Sequence, residues 1–293
     1  MGETRVDLHH LLEDLRDAYP GALEETILTE IVANSLDSGA RAIRFDVAPG
    51  EATLSVVDDG TGMQRRDLAR YHDIAASTKT RGEGIGFAGV GIKLGLLLCE
   101  DVVTESRRGK THVATRWHLA SRHKAPWRWI PPPGRVAGRG TAVSLRLLNP
   151  LSPLLDPGYI ETVLRRHFEP LLEPGFSDIL ALRYGTGVHF SVGGRAVEPE
   201  APRGSEFARI EVRLARRRKP SATGYLVRES APLPEDRRGL AVSTMGKVIK
   251  RGWDWLGLTP DRPDAIGGLI EVPELAGSLT LNKADFIRTG PRG

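Results

Sequence analysis

The sequence predicts an α/β protein of two domains, and three observations support this prediction. Apolar residues recur at helical spacing over residues 22–36, which indicates an amphipathic helix. Two strand-like segments, Ile43–Val47 and Thr53–Val57, flank a Pro-Gly pair and indicate a hairpin directly after that helix. Three prolines within residues 149–158 then interrupt the pattern, because proline lacks a backbone donor and disfavours helix in the residue before it.

The first predicted domain covers residues 1–150 and is a two-layer α/β sandwich, with helices over one face of a mixed sheet. Beyond the hairpin, residues 65–74 and Ile92–Cys99 are predicted helices on either side of the glycine-rich stretch 77–91. Its further predicted strands are Val102–Glu105, His112–Trp117 and Thr141–Leu148.

The second predicted domain covers residues 151–293 and is a smaller α/β unit that begins with a helix over Tyr159–Leu172. Its predicted strands are Leu180–Tyr184, Val188–Val192, Ala208–Leu214, Gly224–Val227, Gly267–Glu271 and Ser278–Leu281.

Composition predicts a cytoplasmic protein without a membrane span. The chain has 293 residues, of which 40% are hydrophobic and 27% charged. Apolar runs such as Leu96–Cys99 are far shorter than the roughly 20 residues of a membrane helix. A single cysteine, Cys99, cannot form an internal disulfide. The net charge of +4 is a weak indication of partners, although the basic cluster Arg216–Lys219 is suited to phosphate.

Three short patterns carry the chemistry, and the first lies on the predicted helix 22–36. Glu30, Asn34 and Asp37 are spaced at i, i+4 and i+7, so they share one helix face. Taken alone, such a polar stripe is more often a solvated face than a site.

The second pattern, Asp58-Asp59-Gly60-Thr61-Gly62-Met63, directly follows a predicted strand. Its glycines allow backbone to approach a flat ligand closely, and a carboxylate accepts a hydrogen bond from an exocyclic amine. An ordinary Asp-Gly turn is the alternative.

The third pattern is the glycine-rich stretch that begins after Ser77-Thr78-Lys79 and runs from Gly82 to Gly95. Successive backbone N–H groups in such a stretch can face an anion, with Lys79 and Lys93 available to supply charge. A surface loop is the alternative.

The three patterns occur in order within about 70 residues, and together they identify a family. Glu30–Ala40, Asp58–Met63 and Gly86–Gly91 resemble the ATP-binding motifs of the GHKL superfamily, which includes DNA gyrase B, the ninety-kilodalton heat-shock chaperones, histidine kinases and MutL. The first motif is most similar to MutL. Gly246–Arg251, Gly268–Pro273 and Leu281–Phe286 resemble the transducer region of the MORC ATPases.

The resemblance implies a Bergerat-fold ATP-binding domain over residues 1–150 and a transducer like domain 2 of ribosomal protein S5 over 151–293. It implies ATP and Mg²⁺ as cofactors, with Glu30 as the general base, Asn34 as a Mg²⁺ ligand and Asp58 as the acceptor for the adenine amine. Lys283 would reach the γ-phosphate, and Lys247 is the alternative for that role.

The remaining nucleotide-binding positions that the resemblance implies lie around the glycines and the lid. They are Asp37, Gly60, Gly62, Met63, Thr78, Lys79, Gly86, Phe87, Gly89, Val90, Gly91, Ile92 and Lys93.

By the same resemblance, the predicted function is an ATPase that dimerises on binding ATP and acts as a molecular clamp on DNA or on a protein–DNA assembly. A chaperone-like ATPase that remodels a protein client without DNA is the alternative. A third expectation is that the chain is the ATPase part of a longer protein with an effector region or partner.

Overall fold

The chain forms two compact units whose segments alternate along the sequence. The computed structural model describes residues 6–73, 82–86, 89–200, 204, 206–213, 220–280 and 282–287. The first unit comprises Met1–Lys79, Gly86–Val163 and His189–Val197, and the second comprises Thr80–Ile85, Leu164–Val188 and Glu198–Gly293. In this division residues 151–163 and 189–197 belong to the first unit. The domain boundary between residues 150 and 151 stays a prediction.

Seven α-helices occur in the described residues, together with short 3₁₀ helices. The α-helices are α1 (Leu8–Asp17), α2 (Leu23–Asp37), α3 (Arg65–Arg70), α4 (Gly91–Leu94), α5 (Pro157–His167), α6 (Glu169–Leu172) and α7 (Ser177–Tyr184). The 3₁₀ helices are Pro49–Glu51, Gly95–Leu97, Pro153–Leu155, Pro174–Phe176, Glu235–Arg237, Asp254–Leu256 and Pro273–Ser278. Within the described ranges, no helix has the length and apolar character needed to cross a bilayer.

Thirteen strands form two sheets in the same described part of the chain. They are β1 (Ala42–Ala48), β2 (Thr53–Asp58), β3 (Cys99–Arg108), β4 (Thr111–Trp117), β5 (Trp127–Ile130), β6 (Gly140–Leu147), β7 (His189–Val192), β8 (Arg195–Ala196), β9 (Glu206–Val212), β10 (Ala222–Arg228), β11 (Gly239–Thr244), β12 (Lys247–Gly252) and β13 (Ile266–Glu271).

The first unit is built on an eight-stranded sheet in the order β5-β4-β3-β6-β2-β1-β7-β8. β1 and β7 are parallel, and the other neighbouring strands of this sheet are antiparallel. The predicted helix and hairpin are present as α2, β1 and β2. α2 packs against α4, and Leu28, Phe45 and Leu54 are fully buried in the core of this unit. The α/β class predicted from the sequence is therefore confirmed.

The second unit is built on a five-stranded sheet in the order β12-β11-β13-β10-β9. β11 and β13 are parallel, and the remaining pairs are antiparallel. The turn between β11 and β12 is tight, since Met245 and Gly246 both have positive φ. Likeness of this unit to ribosomal protein S5 stays a prediction.

Two of the strands predicted in the second half are wrong. Leu180–Tyr184 belongs to helix α7, and a short apolar run of this kind cannot be assigned to helix or strand by periodicity alone. Ser278 ends a 3₁₀ helix, and in the described part of that segment only Leu279 makes a bridge, to Phe286. Leu281 lies outside the described residues.

Predicted and observed structure also differ in where one helix ends, and the structure contains helices and strands that the sequence did not indicate. The helix predicted over Ile92–Cys99 ends early, because Cys99 pairs with Leu147 as the first residue of β3. β5 was missed because prolines precede and follow it, although an edge strand tolerates nearby proline. The elements α1, β11 and β12 were also not predicted.

The helical assignment of residues 180–182 can be tested with two substitutions on α7. Leu180 is 6% exposed and Leu182 is 85% exposed. Leu180→Ala should lower the free energy of unfolding by about 2–5 kcal/mol, whereas Leu182→Ala should change it by less than about 0.5 kcal/mol. Urea denaturation of both variants measures this difference. Equal losses would indicate a strand, in which these two side chains share one face.

Candidate functional site

A cavity of about 370 Å³ lies in the first unit, between α2, the segment after β2 and the glycines before α4. The predicted site residues that line it are Glu30, Asn34, Asp37, Asp58, Gly62, Met63, Gly86, Gly89, Val90, Gly91, Ile92 and Lys93. Three further predicted residues, Thr78, Lys79 and Phe87, lie outside the described residues. The fold thus brings the three sequence patterns to one cavity.

Asp58, the last residue of β2, provides a buried carboxylate at one end of this cavity. Its Oδ1 accepts hydrogen bonds from the backbone N–H groups of Gly60 (2.9 Å) and Thr141 (3.2 Å), and its Oδ2 accepts one from Ser35 Oγ (2.9 Å). Burial raises the pKa of Asp58, and these hydrogen bonds oppose that rise. An ionised carboxylate has about four acceptor positions, so capacity remains for one donor from a ligand.

Three glycines around Asp58 allow backbone segments to approach one another closely. A Cβ on Gly60 would overlap the side chain of Ser38, and a Cβ on Gly62 would overlap the Arg107 carbonyl. Gly140, which the sequence analysis missed, has a φ of +137° and faces the Asp58 carbonyl in the same way. Side chains at these positions would therefore displace the wall of the cavity.

Glu30 is 2% exposed on α2 and lies against the backbone of Gly91. A Cβ on Gly91 would overlap the Glu30 side chain, so this contact requires glycine. The nearby Tyr19 hydroxyl is buried and has no hydrogen-bond partner among the described residues. Burial first, and then the charge of Glu30, raise the pKa of Tyr19.

Asp37 binds the backbone of Gly86 in the glycine-rich segment, and Asn34 lies beside the same residue. The backbone N–H of Gly86 donates to Asp37 Oδ2 at 2.6 Å, and a Cβ on Gly86 would lie 2.6 Å from Asn34 Oδ1. The two side chains thus present oxygen donors at the cavity. Oxygen is the donor that Mg²⁺ requires, and Mg²⁺ is usually held by only one or two protein groups together with phosphates.

Lys93 provides a buried positive charge in the same cavity. Its side chain is 3% exposed, and Nζ lies 5.3 Å from the centre of the Tyr71 ring. Burial lowers the pKa of Lys93 to about 8, although the charges of Asp73 and Glu30 act in the opposite direction. An anion bound beside Lys93 would restore the ordinary preference for the charged form.

The remaining candidates belong to the second unit or lie outside the described residues. Lys283 and Lys247 are both buried and both belong to the second unit. Lys283 has a φ of +56° and follows Asn282, whose Oδ1 accepts a hydrogen bond from Thr280 Oγ1 at 2.7 Å. Contact of either lysine with a phosphate stays a prediction. The basic cluster 216–219 lies outside the described residues.

Several residues of the site were not predicted from the sequence. Ser35 and Thr141 bind Asp58, and Tyr71 lines the cavity. Ser35 lies inside the first pattern, so its neighbours offered a signal. Thr141 is 83 residues from Asp58 in sequence, and nothing local to β6 indicates its role.

A comparison with protein families identifies this region. The family described as "Histidine kinase-, DNA gyrase B-, and HSP90-like ATPase" matches residues 22–133. The chain contains a GHKL-superfamily domain. The match covers most of the residues that line the cavity, so the cavity belongs to the region that defines the family.

Individual relatives point to two branches of the superfamily. "Chaperone protein HtpG" of Rhodopseudomonas palustris (strain BisB18) is 30% identical over 178 residues, which is 55% of this chain and 28% of that protein. "DNA mismatch repair protein MutL" of Anaeromyxobacter dehalogenans is 42% identical over 67 residues, or 22% of this chain and 11% of that protein. "DNA mismatch repair protein MLH3" of Arabidopsis thaliana is 35% identical over 72 residues, or 22% and 6%. The chain thus spans less than a third of each of these relatives.

The contact between Gly91 and Glu30 yields a prediction for stability. Gly91→Ala should lower the free energy of unfolding by about 1–3 kcal/mol, because the added methyl group overlaps a buried side chain. Gly50→Ala is the matched control, since a Cβ at Gly50 meets nothing within 4 Å. Denaturant unfolding measures both. Equal stability of the two variants would contradict the described contact.

Proposed function

We propose that this chain binds ATP together with Mg²⁺ and hydrolyses it slowly. The observation that carries the proposal is one cavity with a hydrogen-bonded carboxylate, Asp58, and a separate buried carboxylate, Glu30, beside glycine backbone and Lys93. The GHKL domain supports it, since the matched family is one of ATPases.

The base of the nucleotide would bind at Asp58. The free acceptor capacity of this carboxylate suits the exocyclic amine of adenine. The apolar side chains of Ile31, Val56 and Val143 also line the cavity and would cover a planar ring. Gly62 would contact the ring from the cavity wall, whereas Gly60 would act through the close approach of its backbone to Ser38 and Asp58.

The phosphates would bind away from Asp58, beside the glycine-rich segment and Lys93. Backbone N–H groups at Gly89 and Gly91 and the ammonium group of Lys93 would supply positive potential. Gly86, whose N–H donates to Asp37, would line the phosphate site without binding phosphate through that N–H. Bound Mg²⁺ would neutralise phosphate charge, with Asn34 as its ligand through the side-chain oxygen. The predicted roles of Thr78, Lys79 and Phe87 in the lid are part of the same proposal.

Glu30 would act as the general base. A carboxylate in this position can orient a water molecule and accept its proton as the water attacks the γ-phosphate. Its contact with Gly91 holds the side chain beside the segment proposed to bind the phosphates. Asp37 would orient that segment through its bond to Gly86 N.

We further propose that ATP drives dimerisation into a clamp that acts on DNA or on a protein–DNA assembly. The two DNA mismatch repair relatives support action on DNA. Lys283, in a transducer-like second unit, would report the nucleotide state by contacting the γ-phosphate, as the resemblance to MORC ATPases implies. The relative named as a chaperone supports the second candidate, remodelling of a protein client without DNA.

Removing the Glu30 carboxylate tests the catalytic assignment. Glu30→Ala should lower ATP turnover by about 10²–10⁴-fold while Mg-ATP binding remains. Because this variant should stay in the ATP-bound state, light scattering should show a dimer in Mg-ATP and a monomer without nucleotide. Glu24→Ala, on the same helix, is the control and should keep wild-type turnover. Unchanged turnover in Glu30→Ala would exclude it as the base, and an unchanged monomer that still binds ATP would exclude dimerisation of this chain alone.

The pKa of Lys93 predicts a pH dependence for nucleotide binding. Below about pH 8 Lys93 is charged and bound phosphate raises its pKa further, so affinity should be constant there. Above pH 8 affinity should fall by up to about tenfold per pH unit. Calorimetric titration of ATP from pH 7 to 9 measures this fall. Lys93→Gln should bind weakly with a flat profile, and Lys110→Gln should behave as wild type. A wild-type profile in Lys93→Gln would contradict the assignment.

A further inference from the structure

One edge of the first unit's sheet is formed by a stretch of chain that contains no acidic residue. Residues 106–155 contain ten Arg and Lys residues and no Asp or Glu, in a protein whose net charge is only +4. This stretch includes β4 and β5, and β5 is the outermost strand on that side of the sheet. Four of the ten, Arg116, Arg122, Lys124 and Arg128, lie on β4, on β5 or in the turn between them, so part of this positive charge lies at one sheet edge.

The register of β4 and β5 places two of these arginines directly opposite each other. Arg116 pairs with Arg128, and both side chains are exposed. Like charges directly across two strands destabilise a sheet. Together with His118, Pro126 and Trp127, the two arginines line a surface cavity of about 290 Å³. A bound anion at this cavity would convert the repulsion into attraction.

The positive charge at this edge is only partly compensated by acidic side chains. Within the described ranges, neither Arg128 nor Lys124 makes an ion pair. Arg116 Nε lies 4.0 Å from Asp101, but the carboxylate of Asp101 already accepts a 2.7 Å bond from Arg146. Arg122 pairs with Asp7 at 3.1 Å, and its side chain is largely exposed. We refer to Arg116, His118, Arg122, Lys124 and Arg128 as the basic edge.

Protection against edge-to-edge pairing of sheets does not account for the basic edge. Charged side chains and proline both serve that purpose on edge strands. β5 follows Pro126 and is followed by three successive prolines, residues 131–133, which already oppose the addition of another strand. The arginines and lysines of the neighbouring turn and of β4 lie beyond the strand that needs this protection.

The aromatic residues of β5 stabilise the edge and are poorly available to stack on bases. Trp127 stacks on His72, with ring centres 4.4 Å apart, and the guanidinium of Arg65 lies 3.9 Å from the centre of the Trp129 ring. Single-stranded nucleic acid is usually bound through aromatic faces that are open to bases. Exposed guanidinium groups without such faces favour contacts with phosphates along a duplex backbone.

We propose that the basic edge binds the phosphate backbone of duplex nucleic acid, without reading its sequence. The proposal rests on the DNA part of the proposed function and gives it a surface. It does not require that the cavity beside Asp58 and Lys93 bind ATP. The phosphates would contact the guanidinium groups of Arg116 and Arg128, which line the surface cavity of about 290 Å³. Arg122 and Lys124, in the turn between β4 and β5, would add further contacts.

The test uses the full chain and a fluorescently labelled duplex DNA, with anisotropy measured from about 50 to 200 mM salt. The double variant Arg116→Gln/Arg128→Gln should bind at least tenfold more weakly at the lowest salt concentration. The slope of log Kd against log salt should fall by about two, since each phosphate contact contributes about 0.9. ATP affinity of the same variant should stay at the wild-type value.

The matched control is Arg44→Gln/Arg195→Gln, which removes the same charge from the same sheet. Arg44 lies on β1 and Arg195 on β8, at the opposite side of the sheet from β5. This variant should keep the wild-type slope, because only charge in contact with phosphate releases counterions. An equal loss in both variants would mean that net charge alone matters, and that result would overturn the proposal.

Two further results separate this proposal from its alternatives. Unchanged DNA affinity and an unchanged salt slope in Arg116→Gln/Arg128→Gln would overturn the proposal. Binding of phosphatidylserine vesicles through the same two arginines, without binding of DNA, would overturn it as well. Loss of DNA binding in that variant with ATP affinity intact would support it. DNA binding through this edge in a wild-type chain that does not bind ATP would support it too, while contradicting the ATPase proposal.

Discussion

The buried carboxylate of Asp58 joins the parts of the first unit that form its cavity. Ser35 donates to it from α2, Gly60 from the segment after β2, and Thr141 from β6. A carboxylate that is removed from water is costly unless hydrogen bonds replace its hydration. The helix layer and two strands of the sheet must therefore keep their mutual position for this buried carboxylate to keep its three hydrogen bonds, and these bonds fix the cavity wall around it.

Close approach of backbone segments is the second constraint, and it requires glycine at several positions around the cavity. At Gly60, Gly62, Gly91 and Gly140, a Cβ would overlap neighbouring atoms of the cavity wall. Interiors are packed so densely that one added methyl group must displace its surroundings. The same contacts that shape the cavity thus hold Glu30 against α4 and Asp58 against β6.

Charge is distributed unevenly in the first unit, and this distribution connects the two proposals. The cavity contains carboxylates and one buried lysine, Lys93, whereas the basic edge of β4 and β5 carries exposed arginines, of which Arg128 makes no ion pair within the described part of the chain. A triphosphate bound with Mg²⁺ and a polynucleotide backbone are both polyanions, but they would meet different environments. The first would meet buried groups whose pKa values burial has changed, and the second would meet solvated groups whose attraction is screened by salt.

Local patterns determined much of what could be stated from the sequence alone. Helical spacing indicated α2, alternation around a turn indicated β1 and β2, and the order of three polar and glycine-rich patterns indicated the GHKL superfamily. Twelve of the predicted residues lie on these local patterns, and the fold brings them to one cavity. Tertiary structure alone decided that residues 180–184 are helical, that β7 joins the first sheet, that Thr141 binds Asp58 and that Arg116 faces Arg128. These features arise from burial and from pairing between residues far apart in the chain, and local periodicity does not encode such pairing.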